Sequence, residues 1–126
     1  SYDRADAAVL YIARSHFGPA AALLAGLSAR LTSELRPAVP LFTKKLCDGI
    51  GVAEDPSNGE SFGQNRCRLV AEGIVDAWMQ GLQSSEARLS AVRARFSMSG
   101  LNLDYAHLNP GSVDVFELPT NTVTIA

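Results

Sequence analysis

The residues best suited to chemistry lie at the predicted start of a helix and are Ser61, Gly63, Gln64 and Arg66. Ser61 can accept a hydrogen bond from the amide of Gln64, whose side chain can reach back to the amide of Ser61, as in a capping box. The first helical turn also offers free N–H groups and a positive dipole end, and Arg66 adds a guanidinium. This pattern indicates an anion site. The alternative is that Ser61 simply caps a surface helix and that Arg66 is solvated.

The elements before this stretch predict a strand, a helix and a second strand. A continuous apolar run over residues 7–13 is typical of an interior strand that is covered on both faces. A helix follows, with Pro19 in its first turn and Pro37 after its end. Its apolar stripe consists of Ala20, Leu23, Leu24, Leu27, Leu31 and Leu35. Residues 39–43 are expected to be extended, and residues 50–54 to form a short strand.

A second helix is predicted over about residues 62–82, packed on the sheet. Apolar residues recur along it at helical spacing, so we expect Leu69, Ile74 and Trp78 to be buried on one face. Val70 and Ala77 belong to the same stripe.

A third helix is predicted from Ser85 to Gly100, where glycine ends it. We expect it to turn Leu89, Val92 and Phe96 inward. The tail over residues 101–126 is predicted to be irregular. It contains a turn signal, Asn-Pro-Gly-Ser, and then an alternating, strand-like stretch over residues 113–116.

Composition favours a single domain over residues 1–126 and excludes several classes of protein. Apolar residues make up 47% and charged residues 19% of the 126 residues, as in ordinary globular proteins. The net charge of −2 argues against nonspecific nucleic-acid binding. No apolar run approaches the roughly 20 residues that cross a bilayer. Cys47 and Cys67 lack the spacing of a metal site or a disulfide framework, so we expect reduced thiols in a cytosolic protein.

The chain begins with Ser-Tyr-Asp and not with methionine. We therefore expect a processed product or a fragment. Two strands and three helices would also leave sheet edges that something must cover.

Several stretches resemble the HopA family of bacterial type III effectors: residues 6–12, the leucine-striped helix, residues 49–54 and residues 61–66. The resemblance runs over about residues 2–77. Residues 105–112 are similar to an ending found in bacterial relatives outside pathogens. The family's fold is α+β, and the resemblance implies a mixed sheet with packed helices, of which this chain would be the C-terminal half.

The resemblance implies two functions. Related domains in class V lanthipeptide biosynthesis are assigned as lyases that eliminate phosphate from phosphoserine or phosphothreonine, whereas plant-pathogen members are effectors that perturb host immune signalling. The leading hypothesis is a lyase without metal or cofactor, acting on a phosphorylated peptide in the bacterial cytoplasm. The alternative is a non-catalytic module that binds a partner protein, inside a host cell if the chain is a true effector. A third is a subunit whose partner is the missing N-terminal half; a kinase is a further expected partner.

Elimination requires a base for the Cα proton and an acid for the departing phosphate. Lyases of this kind generally use a lysine and a histidine. Lys44 is the candidate base and His107 the candidate acid; the alternatives are a solvated lysine and a structural histidine. The resemblance places the expected base upstream of Ser1.

The expected phosphate ligands are Ser61, Gly63, Gln64 and Arg66. Of these, Gln64 and Arg66 fall on the Ser-x-Gly-Gln-x-Arg pattern that matches the family. Arg4 is a second guanidinium candidate, and its alternative is a salt bridge to a neighbouring aspartate. Glu54 and Asp55 would repel phosphate, so we expect them to orient Arg66 by pairing with it.

Overall fold

The structure, a computed structural model, describes residues 8–31 and 33–119. Its elements are a 3-10 helix (Arg14–His16), α1 (Phe17–Arg30), β1 (Lys44–Cys47), β2 (Ile50–Val52), α2 (Phe62–Met79), α3 (Ser85–Met98) and a second 3-10 helix (Leu103–Tyr105). Helices combined with a small sheet confirm the α+β class. The chain divides into two compact units: Ala53–Asp114 is one, and Ser1–Val52 with Val115–Ala126 is the other. The single domain over residues 1–126 stays a prediction.

Helix α1 buries its small residues and not its leucines. Ala21 and Ala25 are buried together with Phe17, whose ring meets the ring of Phe116 edge-on at 4.9 Å between centroids. Leu23, on the opposite side, is 77% exposed. The helix is therefore present as predicted, but its leucine stripe is not the face that packs.

The sheet of the described residues is one antiparallel pair, β1 with β2, where a mixed sheet was expected. The strand predicted over residues 50–54 is present as β2, two residues shorter. Gly49 in the connecting turn has φ of +75°, which an L side chain rarely adopts. Residues 39–43, predicted to be extended, contain a turn: the amide of Thr43 donates to the carbonyl of Pro40, and Phe42 has φ of +71°.

Two predicted strands are wrong. Residues 8–13 form no strand and are exposed, and they lead directly into the first 3-10 helix; Ala7 lies outside the described residues. Residues 113–116 are also in no strand. An apolar or alternating run makes a strand only where a neighbouring strand accepts its backbone hydrogen bonds. Within the described ranges, β1 and β2 have only each other as partners.

Helix α2 packs on α3 in the same compact unit. Its predicted packing on the sheet stays a prediction. Val92 and Phe96 of α3 are buried against the line of α2 that contains Leu69 and Gly73. A Cβ atom on Gly73 would lie 2.6 Å from the Cα atom of Val92. The two helices approach this closely because position 73 has no side chain.

This packing corrects three predictions of burial. Ile74, Trp78 and Leu89 are 51%, 78% and 53% exposed. Ile74 and Trp78 follow a different line of α2 from Leu69 and Gly73, and the packing on α3 covers only the latter line.

Within the described ranges, no helix combines the length and the apolar character needed to span a membrane. The same residues contain no group of three or more His, Cys, Asp or Glu side chains that could hold a metal ion. Cys47 is half-buried and Cys67 is exposed, and both are free thiols.

Candidate functional site

The start of α2 carries the predicted capping box. Ser61 Oγ accepts a hydrogen bond from the amide of Gln64 at 3.1 Å, and Gln64 Oε1 accepts one from the amide of Ser61 at 3.1 Å. Ser61, Gly63 and Gln64 are all exposed. An anion at this turn would compete with Ser61 Oγ for the amide of Gln64, and anion binding here stays a prediction.

Arg66 lies one turn further along α2 and is only 1% exposed. Its Nε donates to the carbonyl of Ala106 at 2.7 Å and its Nη2 to the carbonyl of Leu108 at 3.1 Å. Its Nη1 donates to the side chain of Asn65. The guanidinium thus binds the backbone of residues 106–108. The sequence had instead predicted that Arg66 is solvated or binds phosphate.

The surroundings of Arg66 suit a buried cation. The guanidinium carbon lies 4.9 Å from the centre of the Phe62 ring, a cation–π distance. Burial lowers the pKa of Arg66, and the negative charge of Glu54 opposes that shift. An arginine remains protonated under such a shift because its ordinary pKa is so high.

Glu54 binds the same part of the chain from a second point. Its carboxylate accepts hydrogen bonds from the amide of Asn109 at 2.7 Å and from Ser112 Oγ at 2.9 Å. Its own amide donates to the carbonyl of His107 at 2.8 Å. The side chain of Asn109 also donates to the carbonyl of Asp55 at 2.7 Å. Residues 54 and 55 therefore hold the tail, a role that the sequence did not suggest.

We call residues 101–114 the anchored segment. Apart from the 3-10 helix at Leu103–Tyr105, it contains no helix or strand, yet Leu101, Ala106 and His107 within it are buried. The turn signal in this stretch was visible in the sequence. Its attachment to Arg66 was not, because hydrogen bonds between residues some 40 positions apart leave no local pattern.

The anchored segment presents a small cavity of about 220 Å³. The lining residues are Gly100, Leu101, Asn102, Tyr105, Leu108, Asn109, Gly111 and Ser112. Tyr105 is 54% exposed. The cavity therefore has one large aromatic side chain in its lining, and hydrogen bonds hold the backbone that carries this side chain.

The candidate catalytic residues lie in different units. His107 is 5% exposed, and its Nε2 is 3.2 Å from Asp114 Oδ2 in the same compact unit. Lys44 is half-buried on β1 in the other unit. The catalytic roles of both residues stay predictions. Arg4 lies outside the described residues.

A chain of ion pairs covers the exposed side of the α2 start. Arg68 donates to Glu60 through Nε and Nη2, both at 2.9 Å, and to Glu72 at 2.8 Å. The hydrogen bonds from Arg68 are the largest cause that lowers the pKa of Glu60 to about 2. These contacts are exposed counterparts of the buried contacts of Arg66.

The model of the HopA1 effector protein family matches residues 1–108 of the chain. No curated protein and no solved structure matches it. The family match includes the capping box at Ser61, the buried Arg66 and the carbonyls of Ala106 and Leu108 that Arg66 binds. With 108 of 126 residues matched, the chain belongs to the HopA1 effector protein family.

Proposed function

We propose that this chain is an effector-type domain that recognises a partner protein without chemistry. The observation that carries the proposal is the anchored segment, an irregular stretch fixed by the buried side chain of Arg66 and by Glu54. Irregular segments on a rigid scaffold are common sites of recognition.

Fixing the segment in advance favours binding. The hydrogen bonds to Ala106, Leu108 and Asn109 hold the backbone in one conformation before any partner arrives. A partner then does not have to order this stretch, and the entropy cost of association falls.

The contact residue that we propose is Tyr105. It is about half exposed beside the cavity. Tyrosine combines a large apolar ring with a hydroxyl group and is enriched at binding hot spots. Membership of an effector family suggests secretion into a host cell, so the expected partner is a host protein.

The experiment is capture of host proteins by the immobilised chain from an extract of candidate host cells, measured by quantitative mass spectrometry. Tyr105→Ala should reduce capture of the specific partner by about tenfold or more, as for a hot-spot residue. Tyr11→Ala is the matched control, because Tyr11 is 76% exposed in the other unit. If both variants capture the partner equally well, the anchored segment is not the surface that binds it.

A second candidate, favoured by a different observation, is the lyase. The His107 imidazole lies against the Asp114 carboxylate, an arrangement that orients and stabilises a proton-transferring histidine. In this hypothesis Lys44 is the base that takes the Cα proton, and the electrons of the Cα–H bond form a Cα=Cβ double bond as the Cβ–O bond breaks. The phosphate leaves with the electron pair of the Cβ–O bond and a proton from His107. The proposed phosphate ligands are Ser61, Gly63, Gln64, Arg66 and Arg4.

The lyase has its own test, which is incubation with phosphoserine and phosphothreonine peptides, followed by mass spectrometry. A lyase lowers the mass of the peptide by the mass of one phosphoric acid molecule. Lys44→Ala and His107→Ala would each abolish that mass loss. The recognition proposal expects every peptide to keep its phosphate. The assay should be run with the chain alone, with an added N-terminal half of the family's domain and with a kinase that phosphorylates the peptide, since the lyase hypothesis names both as partners.

A further inference from the structure

The cavity of the anchored segment has the size of a single side chain. Its volume is about 220 Å³, whereas pockets that bind whole drug-sized molecules have about 300–1,000 Å³. Its lining combines the apolar side chains of Leu101 and Leu108 with several polar ones. A cavity of this kind suits one side chain of a bound protein better than a complete small molecule.

The lining of the cavity carries no formal charge. The residues that line it, all within the described part of the chain, include no Asp, Glu, Lys, Arg or His. Nearby carboxylates are already engaged: Asp104 pairs with Arg93 at 2.9 Å, and Glu54 accepts hydrogen bonds from the Asn109 amide and from Ser112 Oγ. A charged side chain that entered the cavity would lose its hydration without gaining an opposite charge. The cavity therefore selects for a neutral ligand and against a phosphorylated one.

Two asparagines in the lining offer one donor and one acceptor. Oδ1 of Asn102 accepts a hydrogen bond from the Asp104 amide at 2.9 Å, and its Nδ2 has no hydrogen-bond partner among the described residues. Asn109 is engaged at its other end: its Nδ2 donates to the carbonyl of Asp55 at 2.7 Å, and within the same part of the chain nothing donates to its Oδ1. An N–H donor beside a carbonyl acceptor complements a primary amide, which has one of each.

Tyr105 adds a flat surface to this pair of amides. It lines the same cavity and is 54% exposed, so its ring is accessible to a ligand. A planar amide can lie against an aromatic ring or direct an N–H at its face.

We propose that the cavity binds the side-chain amide of a glutamine or asparagine residue of the partner protein. The amide carbonyl of that residue accepts from Asn102 Nδ2, its NH₂ group donates to Asn109 Oδ1, and its plane lies against Tyr105. The inference rests on the proposed function for the source of the side chain, which is a protein bound at the anchored segment.

The experiment is an NMR titration of the full chain with blocked amino acids, N-acetyl and N-methylamide at their two ends. The blocked glutamine should shift the amide signals of Gly100, Leu101 and Gly111, with a dissociation constant on the order of 1 mM. Blocked glutamate, methionine and phosphoserine carry the same two backbone amides, so they isolate the effect of the side chain. Each should bind about tenfold more weakly or worse, because each leaves Asn102 or Asn109 without its partner. No shift with blocked glutamine, or tighter binding of blocked methionine or phosphoserine, overturns the proposal.

Asn102→Asp removes the donor and keeps the oxygen that accepts from the Asp104 amide. It should weaken binding of blocked glutamine by about tenfold. Asn58→Asp is the matched control: Asn58 Oδ1 accepts from the Glu60 amide at 3.1 Å in the same pattern, and Asn58 does not line the cavity. This control should bind as the wild type does, and the dispersion of the amide spectrum shows that both variants are folded. Wild-type binding by Asn102→Asp overturns the assigned contact.

A second variant tests the aromatic contact without touching either asparagine. Tyr105→Leu removes the ring and should weaken binding of blocked glutamine by about threefold or more. Unchanged binding by this variant would remove Tyr105 from the site and contradict the proposed arrangement.

Two further comparisons separate this inference from its neighbours. Free glutamine carries an ammonium and a carboxylate that the lining cannot pair, so it should bind no more tightly than the blocked form; tighter binding would mean a small-molecule site and would overturn the assignment to a protein side chain. The titration contains no host protein. If blocked glutamine fails to bind while Tyr105→Ala still reduces capture, the amide site is wrong and the recognition proposal stands; the reverse pair of results rejects recognition and supports the amide site.

Discussion

Residues 8–13 and the anchored segment differ in burial, and the difference is opposite to the one that their compositions would predict. The first stretch is continuously apolar, yet Leu10 and Tyr11 are 70% and 76% exposed. The second is rich in polar residues and turns, yet Ala106 and His107 are buried within it. Apolar composition alone therefore does not determine whether either stretch is buried.

The burial of the anchored segment depends on its hydrogen-bond partners. The anchored segment receives hydrogen bonds from Arg66 and gives hydrogen bonds to Glu54, both of which are outside it. A buried backbone group without a partner is costly, so burial of an irregular stretch requires such donors and acceptors. Specific long-range hydrogen bonds therefore fix an irregular segment where apolar character does not.

The largest effect is expected for Arg66→Met. The variant removes the donors to the carbonyls of Ala106 and Leu108 and the positive charge that interacts with Glu54. It should destabilise the fold by about 3–5 kcal/mol in urea unfolding. Arg68→Met is the matched control on the same helix; its ion pairs are exposed and its effect should be small. Similar losses for the two variants would contradict the assigned difference between buried and exposed arginines.

In helix α2, a residue without a side chain controls the packing on α3. Gly73→Ala places a Cβ atom 2.6 Å from Val92 Cα and should destabilise by about 1–3 kcal/mol. Gly63→Ala, on the same helix, meets no atom within 4 Å and should be neutral or slightly stabilising through helix propensity. The free energy of unfolding should thus fall for Gly73→Ala and should not fall for Gly63→Ala. A similar loss at both positions would mean that close packing is not the cause.

Acid should weaken the exposed contacts of Glu60. Because the pKa of Glu60 is lowered from 4.5 to about 2, its contribution is present above pH 4.5 and is lost as the pH falls towards 2. Wild type should be modestly more stable than Glu60→Gln at pH 6, and the urea midpoints should converge near pH 2. A difference that stays constant with pH would exclude the carboxylate as its source.

The smallest effect is expected for Leu10→Ser. This leucine is 70% exposed, so the substitution exposes no additional core and should change the stability by less than about 0.5 kcal/mol. Thermal unfolding checks it. A loss comparable to that of a core leucine would show that residues 8–13 contribute more than their exposure suggests.

The sequence predicted the three helices and the capping box because their signals are local. Ser61 with Gln64, the stripe on α2 and the glycine after α3 are all readable within a few residues. The α+β class was implied by the resemblance to the HopA family, and the elements of the structure confirm it.

The remaining features depend on partners distant in sequence. The burial of Arg66 requires carbonyls at residues 106 and 108, and the exposure of Trp78 follows from α2 packing on α3. Periodicity placed Leu69, Ile74 and Trp78 on one face of α2, whereas the packing on α3 buries only Leu69 of the three. The backbone contacts of Arg66 were not predictable for the same reason, and its assignment to phosphate stays a prediction.

Amide hydrogen exchange measures directly whether Arg66 holds the anchored segment in a single backbone conformation. The amides of Asn109 and Glu54, which donate to the Glu54 carboxylate and to the His107 carbonyl, should be strongly protected in the wild-type chain. In Arg66→Met both should exchange much faster, while amides in the middle of α3 stay protected. Fast exchange of these two amides in the wild-type chain, or unchanged protection in Arg66→Met, would show that Arg66 does not fix the anchored segment.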